Sequence, residues 1–99
     1  MAISDYAQEV TASIMNDAED TEEAIYFVYD SGDRMKNDGY SLRDLLKYYG
    51  DLLGAIELRL IALDANPNPT PAAKNNLAKL KAAEAAAQKR LLSIQEELS

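Results

Sequence analysis

Residues 41–63 have the sequence SLRDLLKYYGDLLGAIELRLIAL, and this stretch decides the fold class. Its apolar side chains recur at alternating intervals of four and three residues, which is the period of an α-helix. Further leucines and isoleucines widen this stripe almost all round, so we predict a central helix over about 42–63. The stripe consists of Leu42, Leu46, Tyr49, Leu53, Ile56, Leu60 and Leu63, and the widening residues are Leu45, Leu52, Leu58 and Ile61.

A proline-rich segment at residues 66–71, NPNPTP, ends this helix. Thr70 as N-cap and Pro71 as first helical residue are typical of a new helix, which we predict over about 71–98. Leucine, isoleucine and alanine recur there with heptad spacing, interrupted only by Glu84. We therefore predict a long antiparallel hairpin of helices 42–63 and 71–98. This hairpin resembles the helical hairpins of secretion-needle subunits, and its second helix alternatively offers a coiled-coil surface to a partner.

The N-terminal part, residues 1–38, contains no proline and only one glycine, Gly32. We predict one helix capped by Ser4 and running to about Asp17, and a second one capped by Asp20 or Thr21. A single continuous helix through this region is the alternative. Residues 25–29 are rich in strand formers, but no second such run exists to pair with them, which favours helix. The fold class is therefore all-α, a three- or four-helix small domain that spans residues 1–99.

The absence of cysteine and histidine excludes several classes of function. Without them the chain has no thiolate nucleophile, no imidazole base and none of the usual zinc, haem or iron–sulfur ligands. We expect no cofactor and no metal, and no enzymatic activity. The most apolar stretch, residues 52–63, contains Glu57 and Arg59 and is shorter than the roughly 20 residues that span a bilayer. We therefore expect a cytoplasmic protein without membrane contact.

The charge is strongly asymmetric along the chain. Residues 1–38 carry ten acidic and two basic side chains, a net charge of −8, whereas residues 67–99 carry a net charge of +2. This field disfavours direct binding of a nucleic acid and favours a partner protein with a basic surface. A homo-oligomer formed through the hairpin helices is a further expectation.

An acidic, tyrosine-bearing segment is the candidate binding site. Seven carboxylates lie between positions 17 and 33 with no basic residue among them, and two tyrosines lie in the same segment. Tyrosines flanked by carboxylates are typical of binding hot spots, although a solvated helix face has the same composition. Of the neighbouring pair in the central helix, Tyr49 is predicted to be core and Tyr48 to be exposed. The predicted partner-binding residues are Asp17, Glu19, Asp20, Glu22, Glu23, Tyr26, Tyr29, Asp30 and Asp33.

The same carboxylates allow a metal interpretation. Glu19 and Glu22, followed by Asp30 and Asp33, resemble the paired carboxylates of the all-α NTP pyrophosphohydrolases, which implies Mg²⁺ binding and phosphohydrolase activity. The resemblance covers only these fifteen residues. Basic residues for substrate phosphates are absent nearby, which counts against this alternative.

Three hypotheses follow from these observations. The first is a non-enzymatic interaction module, an inhibitor or adaptor that docks the acidic segment on a basic partner and mimics nucleic-acid phosphates. Small phage-encoded inhibitors of nucleic-acid-binding host systems have this profile. The second is a self-associating assembly subunit that uses the hairpin helices, and the third is the Mg²⁺-dependent phosphohydrolase.

Overall fold

Four α-helices make up the chain in the computed structural model, which describes residues 2–99. They are α1 (Ile3–Asn16), α2 (Thr21–Asn37), α3 (Leu42–Asp64) and α4 (Pro71–Leu98), and no strand occurs among the residues described. The all-α prediction is confirmed, and the strand-rich residues 25–29 are helical. The first two helices are separate, because the chain leaves the helical path between Asp17 and Asp20.

Local capping sets most of the helix ends. Ser41 and Asp44 form a reciprocal capping box at the start of α3, and the Thr70 side chain accepts a hydrogen bond from the amide of Ala73 at the start of α4. Ser4 was expected to cap α1, but this prediction is wrong. The helix begins at Ile3, so Ser4 lies inside its first turn and Ala2 occupies the N-cap without a side-chain hydrogen bond.

Gly39 ends α2 in a left-handed conformation with φ of +94°. The amide of Tyr40 donates to the carbonyl of Met35 and that of Gly39 to the carbonyl of Lys36, which is the Schellman arrangement. A glycine is required here because a side chain strains this backbone conformation.

The helices pack around one apolar core in a body of 43 × 23 × 23 Å. The most extensive packing joins α3 to α4, α2 to α4 and α1 to α3. Leu42 and Leu45 at the start of α3 line a cleft with Ser93 and Glu97 at the end of α4, which is the placement that an antiparallel pair requires. The buried residues of α3 are Leu45, Tyr48, Tyr49, Leu52, Ala55, Ile56 and Leu60.

The buried face of α3 is rotated from the predicted stripe. Leu53, which the stripe places in the core, is only half-buried, whereas Tyr48 is completely buried. The prediction of an exposed Tyr48 is therefore wrong. The cause is α1, which packs against that side of α3 and stacks the ring of Tyr6 on that of Tyr48 with centroids 5.2 Å apart. Among residues 2–99, no helix is both long and apolar enough to cross a membrane.

Candidate functional site

The nine predicted site residues are divided among three places. The first is the connection between α1 and α2, where the carboxylates of Asp20 and Glu23 accept hydrogen bonds from backbone amides. Asp20 accepts a hydrogen bond from the amide of Glu23 at 2.9 Å, and the Glu23 carboxylate accepts one from the amide of Glu19 at 2.6 Å. Both carboxylates also lie at the positive end of the α2 dipole. Asp20 and Glu23 therefore stabilise the start of α2, whatever else they bind.

Lys79 of α4 holds this connection from the other side. Lys79 is only 3% exposed, and its ammonium group donates hydrogen bonds to the carbonyls of Met15 and Ala18 at 2.8 and 2.7 Å. Carbonyls at a helix C-terminus lack helical partners and carry the negative end of the dipole, so a cation is favoured there. Sequence reasoning missed Lys79, because a lysine beside the apolar Leu80 gives no signal of burial. The two hydrogen bonds of Lys79 therefore fix the position of the segment that contains Asp17 and Glu19.

The second place is the face of α2 that borders α4. Glu22, Tyr26, Tyr29 and Asp33 follow one another at intervals of four, three and four residues, so they share one face of the helix, here called the α2 stripe. Tyr26 is 62% exposed, which is unusual for a large aromatic side chain. Tyr29 is half-buried, and the guanidinium carbon of Arg90 lies 4.3 Å from its ring centroid. This cation–π contact holds one tyrosine in place and leaves the other accessible.

The third place is a groove between α1 and α2, here called the α1–α2 groove. It has a volume of about 320 Å³ and contains Asp17 and Asp30 of the predicted set. Asp30 is paired with Arg34, with 2.9 Å between Oδ2 and Nε. Asp17 and the neighbouring Glu9 are exposed and make no ion pair within residues 2–99. The complete lining is Tyr6, Glu9, Val10, Ser13, Asp17, Phe27, Asp30, Ser31 and Arg34.

The carboxylates do not converge on a metal position. Within residues 2–99, no group of three or more acidic side chains is arranged to hold an ion. Asp30 faces Arg34 in the groove, whereas Glu22 and Asp33 lie on the α2 stripe. The ligand set that the pyrophosphohydrolase resemblance implies, including Glu19, is not assembled in this structure.

Three of the tyrosines are structural. The Tyr48 hydroxyl donates to Oγ of Ser31 at 2.6 Å, and the Tyr49 hydroxyl donates to the carbonyl of Val28 at 3.3 Å, so both rings fasten α3 to α2. Burial raises the pKa of Tyr49 to about 12 and also raises the pKa of Tyr48. Desolvation by burial likewise raises the pKa of Tyr6, whose hydroxyl donates to the carbonyl of Ser31. Tyrosine spacing alone does not separate these residues from the exposed Tyr26.

A further surface lies on the outer face of α3, and the predicted site residues do not include it. Leu58 and Ile61 are 66% and 67% exposed, and Gly54 and Gly50 lie about one and two turns before Leu58, with open space above each glycine. Together with Ser4 and Gln8 of α1 they line a shallow cavity of about 470 Å³. We call this the α3 face. Two features of the sequence indicate this surface, namely the spacing of four residues between Gly50 and Gly54 and the excess of apolar residues in α3.

No family model, curated protein or solved structure matches this chain.

Proposed function

We propose that this protein is a non-enzymatic interaction module that docks the α2 stripe on a basic surface of another protein. The observation that carries the proposal is Tyr26, a large aromatic ring 62% exposed on the same helix face as Glu22 and Asp33. Aromatic side chains on a surface are enriched at the centres of protein interfaces, where each supplies about 2 kcal/mol or more. The chain would act as an inhibitor or an adaptor.

The charge around Tyr26 supports a basic partner. Glu22 and Asp33 are exposed and make no ion pair with another described residue, so their charge is available to a ligand. They belong to a segment with a net charge of −8, which attracts a basic surface over roughly 8–10 Å at physiological salt. Attraction of this kind raises the association rate, whereas the ring of Tyr26, once it is buried in the interface, slows dissociation.

The class of partner follows from the shape of the charged surface. Glu22 and Asp33 are eleven residues apart, so the α2 stripe is roughly 16 Å long, with carboxylates at both ends. Together with the other carboxylates of residues 1–38, which have a net charge of −8, these groups place negative charge along a stiff helix, as a nucleic-acid backbone does. We therefore favour a nucleic-acid-binding protein as partner, as with phage-type inhibitors of host systems.

The test begins with affinity capture from cells that produce the protein and identification of the partner by mass spectrometry. Binding kinetics are then measured at low and high salt. The structure improves the choice of variants, because Asp20 and Glu23 cap α2 and must be left intact. Glu22→Gln with Asp33→Asn should mainly slow association and flatten its salt dependence, whereas Tyr26→Ala should mainly speed dissociation.

Glu57→Gln with Glu96→Gln is the matched control, since it removes two exposed charges of α3 and α4 that lie outside the cleft lined by Asp33. It should change association much less than the α2 stripe variant. Equal effects of the two double variants on association would show that only the net charge matters. An unchanged dissociation rate for Tyr26→Ala would show that the ring does not stabilise the complex.

Self-association through α3 and α4 is the second candidate, and the α3 face favours it. Two helix glycines with open space above them and two exposed apolar side chains give a backbone surface that a second helix can approach closely. Analytical ultracentrifugation of the wild type and of Leu58→Lys distinguishes the candidates. A concentration-dependent dimer that the lysine abolishes supports self-association, whereas a monomer at all concentrations contradicts it.

A further inference from the structure

We infer that the α1–α2 groove is a subsite for an arginine side chain of the partner protein. The inference rests on the proposed function, because it specifies the chemical class of the partner side chain that binds to the acidic surface. The groove joins that surface directly, since Asp30 lies on the flank of the α2 stripe.

The shape of the groove fits one long side chain. Its volume of about 320 Å³ is near the lower end of the range of small-ligand pockets, roughly 300–1,000 Å³. Val10 of α1 and the half-buried ring of Phe27 on α2 supply apolar lining, and the ring of Tyr6 completes it. This lining suits the aliphatic stem and the flat face of a guanidinium group.

The charge of the groove selects a cation. Its lining contains the carboxylates of Glu9, Asp17 and Asp30 and a single base, Arg34. Arg34 is committed to Asp30 by the 2.9 Å contact, which leaves Glu9 and Asp17 without an ion-pair partner among residues 2–99. The groove therefore presents an excess of two negative charges to an incoming side chain.

Arginine is favoured over lysine on two grounds. A guanidinium group stacks on aromatic rings and binds carboxylates through two parallel hydrogen bonds, whereas an ammonium group is a compact and strongly hydrated point charge. The protein makes related contacts nearby, a single contact of 2.9 Å between Nε of Arg34 and Oδ2 of Asp30 and the guanidinium group of Arg90 over the ring of Tyr29. A partner arginine would contact the carboxylate of Glu9 or Asp17, which lie about 12 Å apart along α1, and the ring of Phe27.

The experiment titrates the isotope-labelled protein with N-acetyl-arginine amide and follows backbone amide shifts by NMR. N-acetyl-lysine amide and N-acetyl-glutamine amide serve as the comparison ligands. We expect saturable shifts at Val10, Ser13 and Phe27 with the arginine compound, weaker ones with lysine and none with glutamine. Shifts that spread evenly over all exposed carboxylates, or no shifts at these positions, would overturn the inference.

Variants then separate the groove from general charge. Glu9→Gln with Asp17→Asn should weaken the arginine compound about tenfold, which corresponds to two exposed charge pairs. The control Glu57→Gln with Glu96→Gln should leave its affinity nearly unchanged, and Phe27→Leu, which keeps an apolar side chain, should weaken it several-fold. Equal affinities in the two double variants contradict the inference.

The captured partner distinguishes failure of this inference from failure of the proposed function. If the α2 stripe variants weaken partner binding and the groove variant does not, the groove is not the subsite and the docking proposal stands. If both sets leave partner binding unchanged, the docking proposal itself fails. If both sets of variants weaken partner binding, individual arginines of the partner are substituted next. In a partner that lacks the arginine bound by the groove, the groove variant should have no further effect on binding, because the interaction is already lost.

Discussion

Three glycines inside helices should respond to alanine with opposite signs. A Cβ added to Gly50 or Gly54 meets no atom within 4 Å, so alanine there gains only the helix propensity that glycine lacks. That gain is about 0.8–1 kcal/mol per site. For a domain of about 100 residues it corresponds to a rise in Tm of roughly 4–8 °C.

Gly32 lies against a buried ring instead. A Cβ there would lie 2.8 Å from Cζ of Tyr49 and closer still to its hydroxyl oxygen. The ring cannot move away freely, because Tyr49 is buried and its hydroxyl donates to the carbonyl of Val28. Overpacking costs about 1–3 kcal/mol and the lost hydrogen bond about 1 kcal/mol, against a propensity gain of about 1 kcal/mol. We expect Gly32→Ala to be less stable than the wild type by about 1–3 kcal/mol.

Urea unfolding followed by circular dichroism measures all three variants on one scale. Adding Tyr49→Phe to Gly32→Ala removes the hydroxyl that the new methyl group meets, so the double variant should be more stable than the sum of the single changes predicts. If Gly32→Ala is stabilised as much as Gly54→Ala, Tyr49 does not pack on α2 and the reasoning is refuted.

Three other predictions concern buried groups. Lys79→Met leaves two carbonyls at the end of α1 without their ammonium donor and should cost about 2–4 kcal/mol in urea unfolding; a change below about 0.5 kcal/mol contradicts it. Stability should fall as the pH rises from about 10 to 12, because unfolded tyrosine ionises at 10.0 whereas burial keeps Tyr49 protonated to about 12. Tyr49 alone accounts for about 3 kcal/mol of this loss, Tyr48→Phe should make the dependence shallower, and a flat profile would exclude the effect. Finally, Ile56→Ala should cost about 2–5 kcal/mol and Leu58→Ala, two residues away on the exposed side, less than about 0.5 kcal/mol, with similar losses at both sites counting against the assigned core.

The fold class and most helix ends were predictable because their causes are local, whereas the start of α1, which has no side-chain cap, was not. The capping box at Ser41, the start at Thr70 and Pro71 and the glycine turn at Gly39 each involve residues within a few positions of one another. Residues 25–29 were predicted as helix despite their strand propensity, because a strand needs a partner that the chain does not supply.

The burial of individual side chains was less predictable, because it depends on which neighbour covers each face. Tyr48 and Tyr49 are adjacent and chemically identical, and the first of them is completely buried because Tyr6 of α1 and Ser31 of α2 both cover it. The acidic segment was identified as one site, yet the helical rotation of α2 and the contacts of its cap divide it between a stripe, a groove and a connection. Glu9 and Phe27 of the groove, and Arg90 beside Tyr29, come into place only through packing between helices.

The hydrogen bonds of Lys79 also set an order of events during synthesis. The lysine is separated by 61 and 64 positions from the two carbonyls that it binds. At about 5–20 residues per second, a ribosome needs roughly 3–12 s to add the intervening 61 residues. The acidic connection is therefore synthesised several seconds before the cation that fixes its position. A nascent chain that is stalled before residue 79 carries the carboxylates of this connection but lacks the ammonium group that holds its backbone in place.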